Sequence, residues 1–402
     1  METDLLIIGA GPFGLALAAQ AAHDRIGHLI VGKPMEFWRQ NMPKGMFLRS
    51  ACDWHLDPLN VDTIEAFLGT HDKTPKDVEP LSLEFYLSYA EWFRQQKNIN
   101  PLPVYVERID RLQTNEADAN DRSQLDLNDR PQVTDRFTAT TANGETIKAK
   151  RVVLAPGFKH FAHIPRELTA KLPQGRYQHT STFVDFSNAK DKRYLIIGGR
   201  QSAYEWAALL LEAGATAVHL SHRHPSPAFD VADWSWVNEL VDNMAHDPGW
   251  FRRLSQTEKD DVSHRLWAEG RLKLEPWLAP RLKDDRVRLW PQTHLVSCTE
   301  TPNGDLEAVL SNGETIDMDT IVLATGYKVD ITRLPILSPN LLTKLETRNG
   351  FPVLDEHFET SIPGLFITSM PATQDFGPFF GFTISGRTSA KLICQRLLAL
   401  KR

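Results

Sequence analysis

Two glycine runs carry the densest chemical information in the chain. The first is Gly9-Ala10-Gly11-Pro12-Phe13-Gly14 and the second is Gly198-Gly199-Arg200-Gln201-Ser202-Ala203. A Gly-x-Gly-x-x-Gly turn between a strand and a helix binds the pyrophosphate of a dinucleotide. Its first glycine makes the turn, its second lets the backbone approach the phosphates, and its third lets helix and strand pack closely. Backbone N–H groups at the helix start then face the anion. Gly9, Gly11, Pro12, Phe13 and Gly14 are therefore candidate nucleotide contacts. An acidic residue about 20 positions further on ordinarily binds the adenosine ribose. Here the second strand ends instead at Gly32-Lys33-Pro34, with Glu36 just beyond in poor register. Gly32 and Lys33 are the expected contacts, and Lys33 either touches the adenosine side or stands as a solvated loop residue.

The second run departs from the pattern. Arg200 holds the place of the middle glycine, where a side chain hinders backbone approach but a guanidinium can bind phosphate directly. Gly198, Arg200, Gln201 and Ser202 form the expected turn. Ser221 and Arg223 follow the next strand, where a reader of a ribose 2′-phosphate would sit, which favours NADPH over NADH. The alternative is a degenerate unit that binds no nicotinamide cofactor.

Two further segments mix polar and aromatic residues. Gly45-Met46-Phe47-Leu48-Arg49-Ser50 runs on to Trp54-His55-Leu56-Asp57-Pro58. Arg49 is a candidate for a cofactor phosphate or a substrate anion, and Trp38 and Ser50 join the cofactor candidates. His55 and Asp57 are suited to proton transfer or ring contacts, or equally to turn and cap roles. Asp375-Phe376-Gly377-Pro378-Phe379-Phe380-Gly381-Phe382-Thr383 precedes a predicted helix, Thr388 to Leu398. Gly377 and Gly381 would allow close approach of a cofactor, and Phe379 and Phe380 would wall a dry pocket.

The elements needed to position these residues are readable. Leu5-Leu6-Ile7-Ile8 is a short apolar run, as in a strand buried on both faces. Leu15 to Ala22 reads as a helix and His28 to Val31 as the next strand. The pattern returns with Arg193 to Ile197, Tyr204 to Glu212 and Ala217 to Leu220. A second duplication supports this. Asn143-Gly144-Glu145-Thr146-Ile147 leads into Arg151 to Gly157, and Asn312-Gly313-Glu314-Thr315-Ile316 leads into Thr320 to Gly326. Each is a hairpin signal followed by an apolar strand that stops at a glycine.

The expected fold class is α/β: two Rossmann-like dinucleotide-binding domains, each with a β-meander, plus a helical Trp-rich insertion. The expected boundaries are 1–160 for the first part of one domain, 161–328 for the second with the insertion at 225–288, and 329–402 for the return to the first. The insertion holds Trp234, Trp236, Trp250, Trp267 and Trp277. It is suited to covering a site, although plain core packing explains most of these tryptophans. A polar, acidic surface loop is expected from Thr114 to Asp135.

Totals bound the function. At 402 residues no disulfide or metal staple is needed. The net charge of −6 argues against nucleic acid or an anionic membrane as partner. Cys52, Cys298 and Cys394 are far apart, with no Cys-x-x-Cys pair, which fits a reducing compartment. Glu2 and Asp4 stand where a signal peptide would be basic. The expectation is a cytoplasmic protein without a metal site, and homodimer formation is left open.

Taken together, these motifs resemble the flavin-dependent monooxygenases with two dinucleotide-binding domains. These are the flavin-containing monooxygenase group and its amino-acid N-hydroxylase relatives, within the pyridine nucleotide-disulfide oxidoreductase superfamily. The resemblance rests on the two glycine runs, on Ala324-Thr325-Gly326-Tyr327 and on Pro363-Gly364-Leu365-Phe366. Pro156-Gly157-Phe158-Lys159-His160 matches the group's signature there only in part. The resemblance implies FAD at the first loop and NADPH at the second, with Thr325, Gly326 and Tyr327 at the cofactors. It implies hydride transfer to FAD, capture of dioxygen as a peroxyflavin and oxygenation of a small nitrogen-, sulfur- or ring-containing molecule. The competing expectations are a flavin oxidase or reductase that releases hydrogen peroxide, and a flavin-bound redox sensor.

Overall fold

The computed structural model describes residues 1–112 and 136–400; the loop expected at Thr114 to Asp135 lies outside the described residues. The first sheet has Glu2–Ile8 at its centre, paired in parallel with His28–Val31 on one side and Thr146–Leu154 on the other. The lower half of Thr146–Leu154 also pairs antiparallel with Phe137–Thr141, which in turn pairs with Val106–Arg111. Its upper half, Val152 to Leu154, pairs in parallel with Leu365–Ile367. Leu5, Leu6 and Ile7 are almost fully buried in the large apolar cluster around this sheet, as expected of parallel strands packed on both faces.

The second sheet repeats the design. Its five strands run in the order Val287–Pro291, Ala217–His222, Arg193–Ile197, Thr320–Leu323, Tyr177–His179, all in parallel. A separate antiparallel meander, Leu295–Glu300, Leu306–Leu310 and Thr315–Met318, delivers the chain to Thr320–Leu323. The duplicated Asn-Gly segments thus do the same work twice.

Each glycine loop opens a helix earlier than its apolar pattern suggests. The first helix is Pro12–His23, starting at a proline whose missing N–H costs nothing at that position. The second is Gln201–Glu212. The last helix is Ser385–Ala399 rather than Thr388 to Leu398.

The insertion is mostly helical, with Ser235–Met244, Trp250–Arg253, Gln256–Arg271 and Leu278–Arg281. It does not belong to the second unit alone. Trp236, Val237, Val241, Met244 and Phe251 are buried in the same apolar cluster as the first sheet. The hydroxyl of Thr388, on the last helix, donates to Val241 O at 2.9 Å. Leu274 and Leu278 instead join the cluster of the second sheet. The insertion therefore leaves and rejoins the second sheet while burying its apolar face against the first. Each large apolar side chain buried this way contributes about 1.5–3 kcal/mol.

Candidate functional sites

A cavity of about 490 Å³ opens over the first glycine loop. Gly9 has φ +114°, and a Cβ there would stand 2.4 Å from Ala155 O. A Cβ on Gly14 would stand 1.8 Å from Gly9 O. Both glycines are demanded by the protein's own packing. Gly11 differs: a Cβ there would meet nothing within 4 Å. Its bareness opens only onto the cavity, beside the start of a twelve-residue helix. That is the cradle a pyrophosphate requires.

One end of the cavity is formed by Gly32, Lys33, Glu36 and Tyr105. The Tyr105 hydroxyl donates to the Glu36 carboxylate. Lys33 and Lys159 lie 3.8 and 3.4 Å from that carboxylate and 4.9 and 5.0 Å from the Tyr105 ring centre. An acidic residue therefore stands beside Lys33 at this end of the cavity. In the sequence Glu36 lies just beyond the second strand, in poor register for the acid that ordinarily binds the adenosine ribose. The chain reaches it because Gly32 takes φ +126° and Met35 φ +53°, turning Glu36 back toward the loop. Tyr105 lies near no motif, and Lys159, within the partly matching segment Pro156 to His160, has no marker of a cofactor role in the sequence.

Trp38, Ser369, Gly381 and Thr383 also line the cavity. Trp38 stacks on Tyr86 with ring centres 4.8 Å apart. Ser369 holds φ +69°, a strained backbone for a non-glycine residue. The last helix starts here, so close to the first that a Cβ on Gly386 would sit 3.6 Å from Phe13 Cα. Phe379 and Phe380 correct an expectation. Both are fully buried in the core, where Phe380 packs 5.3 Å from Phe376 and neither lines the cavity. Gly377, at φ +103°, makes room for the Phe379 ring, 2.7 Å from where its Cβ would lie.

The residues proposed for catalysis lie off this cavity. Arg49 pairs with Glu275 at 2.6 Å, donates to Gly270 O and lies 5.2 Å from the Trp234 ring centre. It ties the insertion to the first unit. Ser50 is half-buried beside it and does not reach the cavity. Asp57 is fully buried and accepts backbone N–H bonds from Leu59, Val61 and Asp62 at 2.8–3.0 Å. Lys97 pairs with it at 2.7 Å. Burial raises its pKa, but Lys97 and the N–H groups of Asp62 and Leu59 outweigh that and hold it below the usual carboxylate range. Its geometry is that of a loop staple. His55 accepts from Arg387 Nη1 at 2.7 Å through Nε2. Burial first, then the Arg387 charge, push its pKa down to about 3, so it is neutral at ordinary pH.

A second cavity of about 440 Å³ lies over the second loop. Gly198 takes φ +147°, and its Cβ would stand 2.4 Å from Ala324 O, repeating the contact of Gly9 with Ala155. Gly199 instead faces the His222 ring, 2.4 Å from a would-be Cβ. Arg200 donates to Arg271 O and lies 4.8 Å from the Trp267 ring centre, so its guanidinium is drawn onto the insertion. Lys171, Arg200, Arg223 and Arg271 line the space, against the single carboxylate of Glu167. Arg223 is exposed and forms no ion pair among the described residues. Such a surface favours an anionic ligand.

The remaining candidates are split. Ser221 and Thr325 line the second cavity, although the Ser221 hydroxyl is 3.2 Å from that of Thr293. Gln201 accepts from the Glu275 N–H at 3.1 Å, and Ser202 is exposed; neither lines the cavity. Gly326 and Tyr327 sit between the two cavities. Gly326 O lies 3.0 Å from His179 Nε2, and the Tyr327 ring is 5.1 Å from Phe158 of the first cavity. Burial pushes the Tyr327 phenol up to about 12. Cys52, Cys298 and Cys394 are buried and unpaired, and burial raises the Cys52 and Cys298 thiols to about 12 and 11. No pair of thiols stands ready for redox exchange.

A family model described as "Pyridine nucleotide-disulphide oxidoreductase" matches residues 3–248 and 263–368. The gap falls inside the insertion. A ferredoxin–NADP reductase of Thermus thermophilus is 30% identical over 58% of this chain and 56% of its own length. An FAD-dependent urate hydroxylase of Xanthomonas campestris is 25% identical over 84% of this chain and 67% of its own. Among solved structures, an ornithine N-hydroxylase of Kutzneria sp. 744, in a form with reduced FAD, NADP+ and L-ornithine, superposes with a TM-score of 0.77. That similarity covers 100% of both chains at 17% identity, and it speaks for the fold.

Proposed function

The chain belongs to the pyridine nucleotide-disulphide oxidoreductase family, and from that premise we propose that it is an FAD- and NADPH-dependent monooxygenase of a small molecule. The observation that carries the flavin part is Gly11, a glycine the protein itself does not need, at the mouth of a cavity long enough to be lined from Glu36 to Thr383. Gly9 to Gly14 hold the pyrophosphate on backbone N–H groups. Glu36 and Tyr105 hold the adenosine end, and Trp38, Gly381 and Thr383 the ring end. The residues around the second loop fit an anionic dinucleotide, with Arg223 for a 2′-phosphate and Arg200 for the bridging phosphates. In this reading the chain divides at 160 and 328, and the insertion spans both units.

Bound flavin supplies the electron transfer and the oxygen chemistry. The protein positions the two cofactors and keeps water from the reacting atoms. The buried Trp54 and the half-buried Trp234 and Phe382, with ring centres 5.4–6.0 Å apart, form an aromatic wall between the insertion and the first unit. The experiment is anaerobic reduction of the purified yellow protein with NADPH, followed by oxygen and a panel of amines, sulfides and aromatic acids. Substrate-dependent hydroxylated product supports a monooxygenase. The reductase relative favours a second reading, in which electrons pass to a protein acceptor. Fast NADPH oxidation with an added iron–sulfur acceptor, and no oxygenated product from the panel, would replace the first reading with the second.

A further inference from the structure

Beside the first cavity lie two hydroxyls whose only neighbouring polar group is each other. Thr383 lines the cavity and is 7% exposed; Tyr86, behind it, is fully buried. The two hydroxyls face each other, and neither has any other hydrogen-bond partner among the described residues. Buried hydroxyls left unbonded cost free energy, and native proteins keep few of them. Both stand beside the start of the fifteen-residue last helix, whose N–H groups favour negative charge. One turn on, Arg387 adds a full charge. It is turned toward His55 and the Asp53 carbonyl, with no carboxylate partner at ion-pair distance among the described residues.

We propose that Thr383 positions the flavin ring: Tyr86 Oη donates to Thr383 Oγ1, and Thr383 donates to an acceptor atom on the polar edge of the ring. This rests on the reading that the first cavity takes FAD. Thr383 lines the cavity with Tyr86 and Trp38 behind it, outside the Glu36, Tyr105 and Lys33 cluster, and in this reading it meets the ring rather than the adenosine. A donor aimed at an acceptor that gains negative charge binds the reduced form more tightly than the oxidised one. The pair therefore raises affinity and raises the midpoint potential together. Arg387 acts in the same direction through space.

The test compares wild type with Thr383→Val, Thr383→Ser and Tyr86→Phe. Apoprotein is titrated with FAD, the midpoint potential of each loaded form is measured, and each apoprotein is melted. Thr383→Val is expected to weaken FAD binding about five- to tenfold, the size of one buried hydrogen bond. Reduced FAD is expected to lose about tenfold more than oxidised FAD, which is ~30 mV for a two-electron couple. Thr383→Ser restores both, and Tyr86→Phe shows a smaller change of the same sign. Apoproteins of Thr383→Val and Tyr86→Phe melt close to each other, because each loses the same contact between two hydroxyls. A merely structural threonine would lower the melting point and leave the potential alone, and that result overturns the proposal. So does a Thr383→Val protein with wild-type affinity and potential. If wild type itself binds no FAD, the flavin reading falls and this inference falls with it.

Discussion

The two glycine loops are the same device put to different ends. In each, the first glycine is locked against the carbonyl of the alanine that follows the neighbouring strand: Gly9 against Ala155, Gly198 against Ala324. The distance a Cβ would have from that carbonyl is 2.4 Å in both. The backbone turn is thus held by the fold. What differs is the residue two places on. Gly11 is open space, whereas Arg200 is a charged arm resting on Trp267 and the Arg271 carbonyl. Turn-forming glycines are needed by the protein, and the middle position answers to the ligand. A motif read as one unit is two separable requirements.

The largest expected effect breaks that separation directly. Gly9→Ala puts a methyl group into the Ala155 carbonyl at a positive φ, and should cost roughly 3 kcal/mol of stability or more. Gly198→Ala should do the same at the second loop. Gly11→Val should leave thermal stability nearly unchanged while weakening FAD binding on the order of a hundredfold. Melting curves of the apoproteins and flavin titrations check this. A Gly11→Val protein that melts as low as Gly9→Ala would show that the middle glycine is structural after all.

The second loop offers a smaller contrast. Arg223→Gln should raise the KM for NADPH about ten- to a hundredfold, the loss of hydrogen bonds to a charged phosphate, and leave NADH unaffected. Arg200→Gly, which restores the glycine pattern, should weaken NADPH by roughly three- to tenfold through loss of a cation. Tighter binding in Arg200→Gly would mean that the arginine obstructs the loop. Steady-state kinetics with both cofactors separate the outcomes.

The smallest effects are on pH. His55 in the first unit and His219 in the second have pKa values pushed from 6.5 to about 3 and about 4, mainly by burial. The unfolded chain binds protons first, so stability is lost as pH falls below 6.5 toward these values. One such group contributes a slope of at most about 1.4 kcal/mol per pH unit. His55→Asn should flatten the acid limb of the melting profile more than His219→Asn, because His219 is only half-buried. Equal flattening would remove the distinction between the two regions.

Local signals were the legible part. A buried parallel strand, a glycine turn and an Asn-Gly hairpin each depend on neighbours in sequence, and all appear where the residues predict them. Long-range partners were not legible. Glu36 was discounted on its distance from Gly9, because the left-handed turn at Met35 that brings it back has no marker in the residue types. His55 and Asp57 resemble an acid–base pair in one dimension. In three, Arg387 and Lys97, distant in sequence, take up their polar atoms. Phe379 and Phe380 looked like a pocket wall, and only the packing of Phe376 and Phe358, whose rings stack 3.7 Å apart, shows them to be core. The insertion was legible as helical, but the side it would bury depended on surfaces elsewhere in the chain.

The pairing of Leu365–Ile367 with Val152 to Leu154 has a consequence for synthesis. The first sheet is opened by Glu2–Ile8 and completed by Leu365–Ile367, a strand made only after the whole second sheet. Ser369, Gly381 and Thr383 of the first cavity come later still. The nascent chain can form its opening glycine turn early, but the cavity above it stays unfinished while the whole second sheet emerges. Capture of the cofactor is therefore a late event, and until then the exposed edge of Val152 to Leu154 is a surface for chaperones to guard.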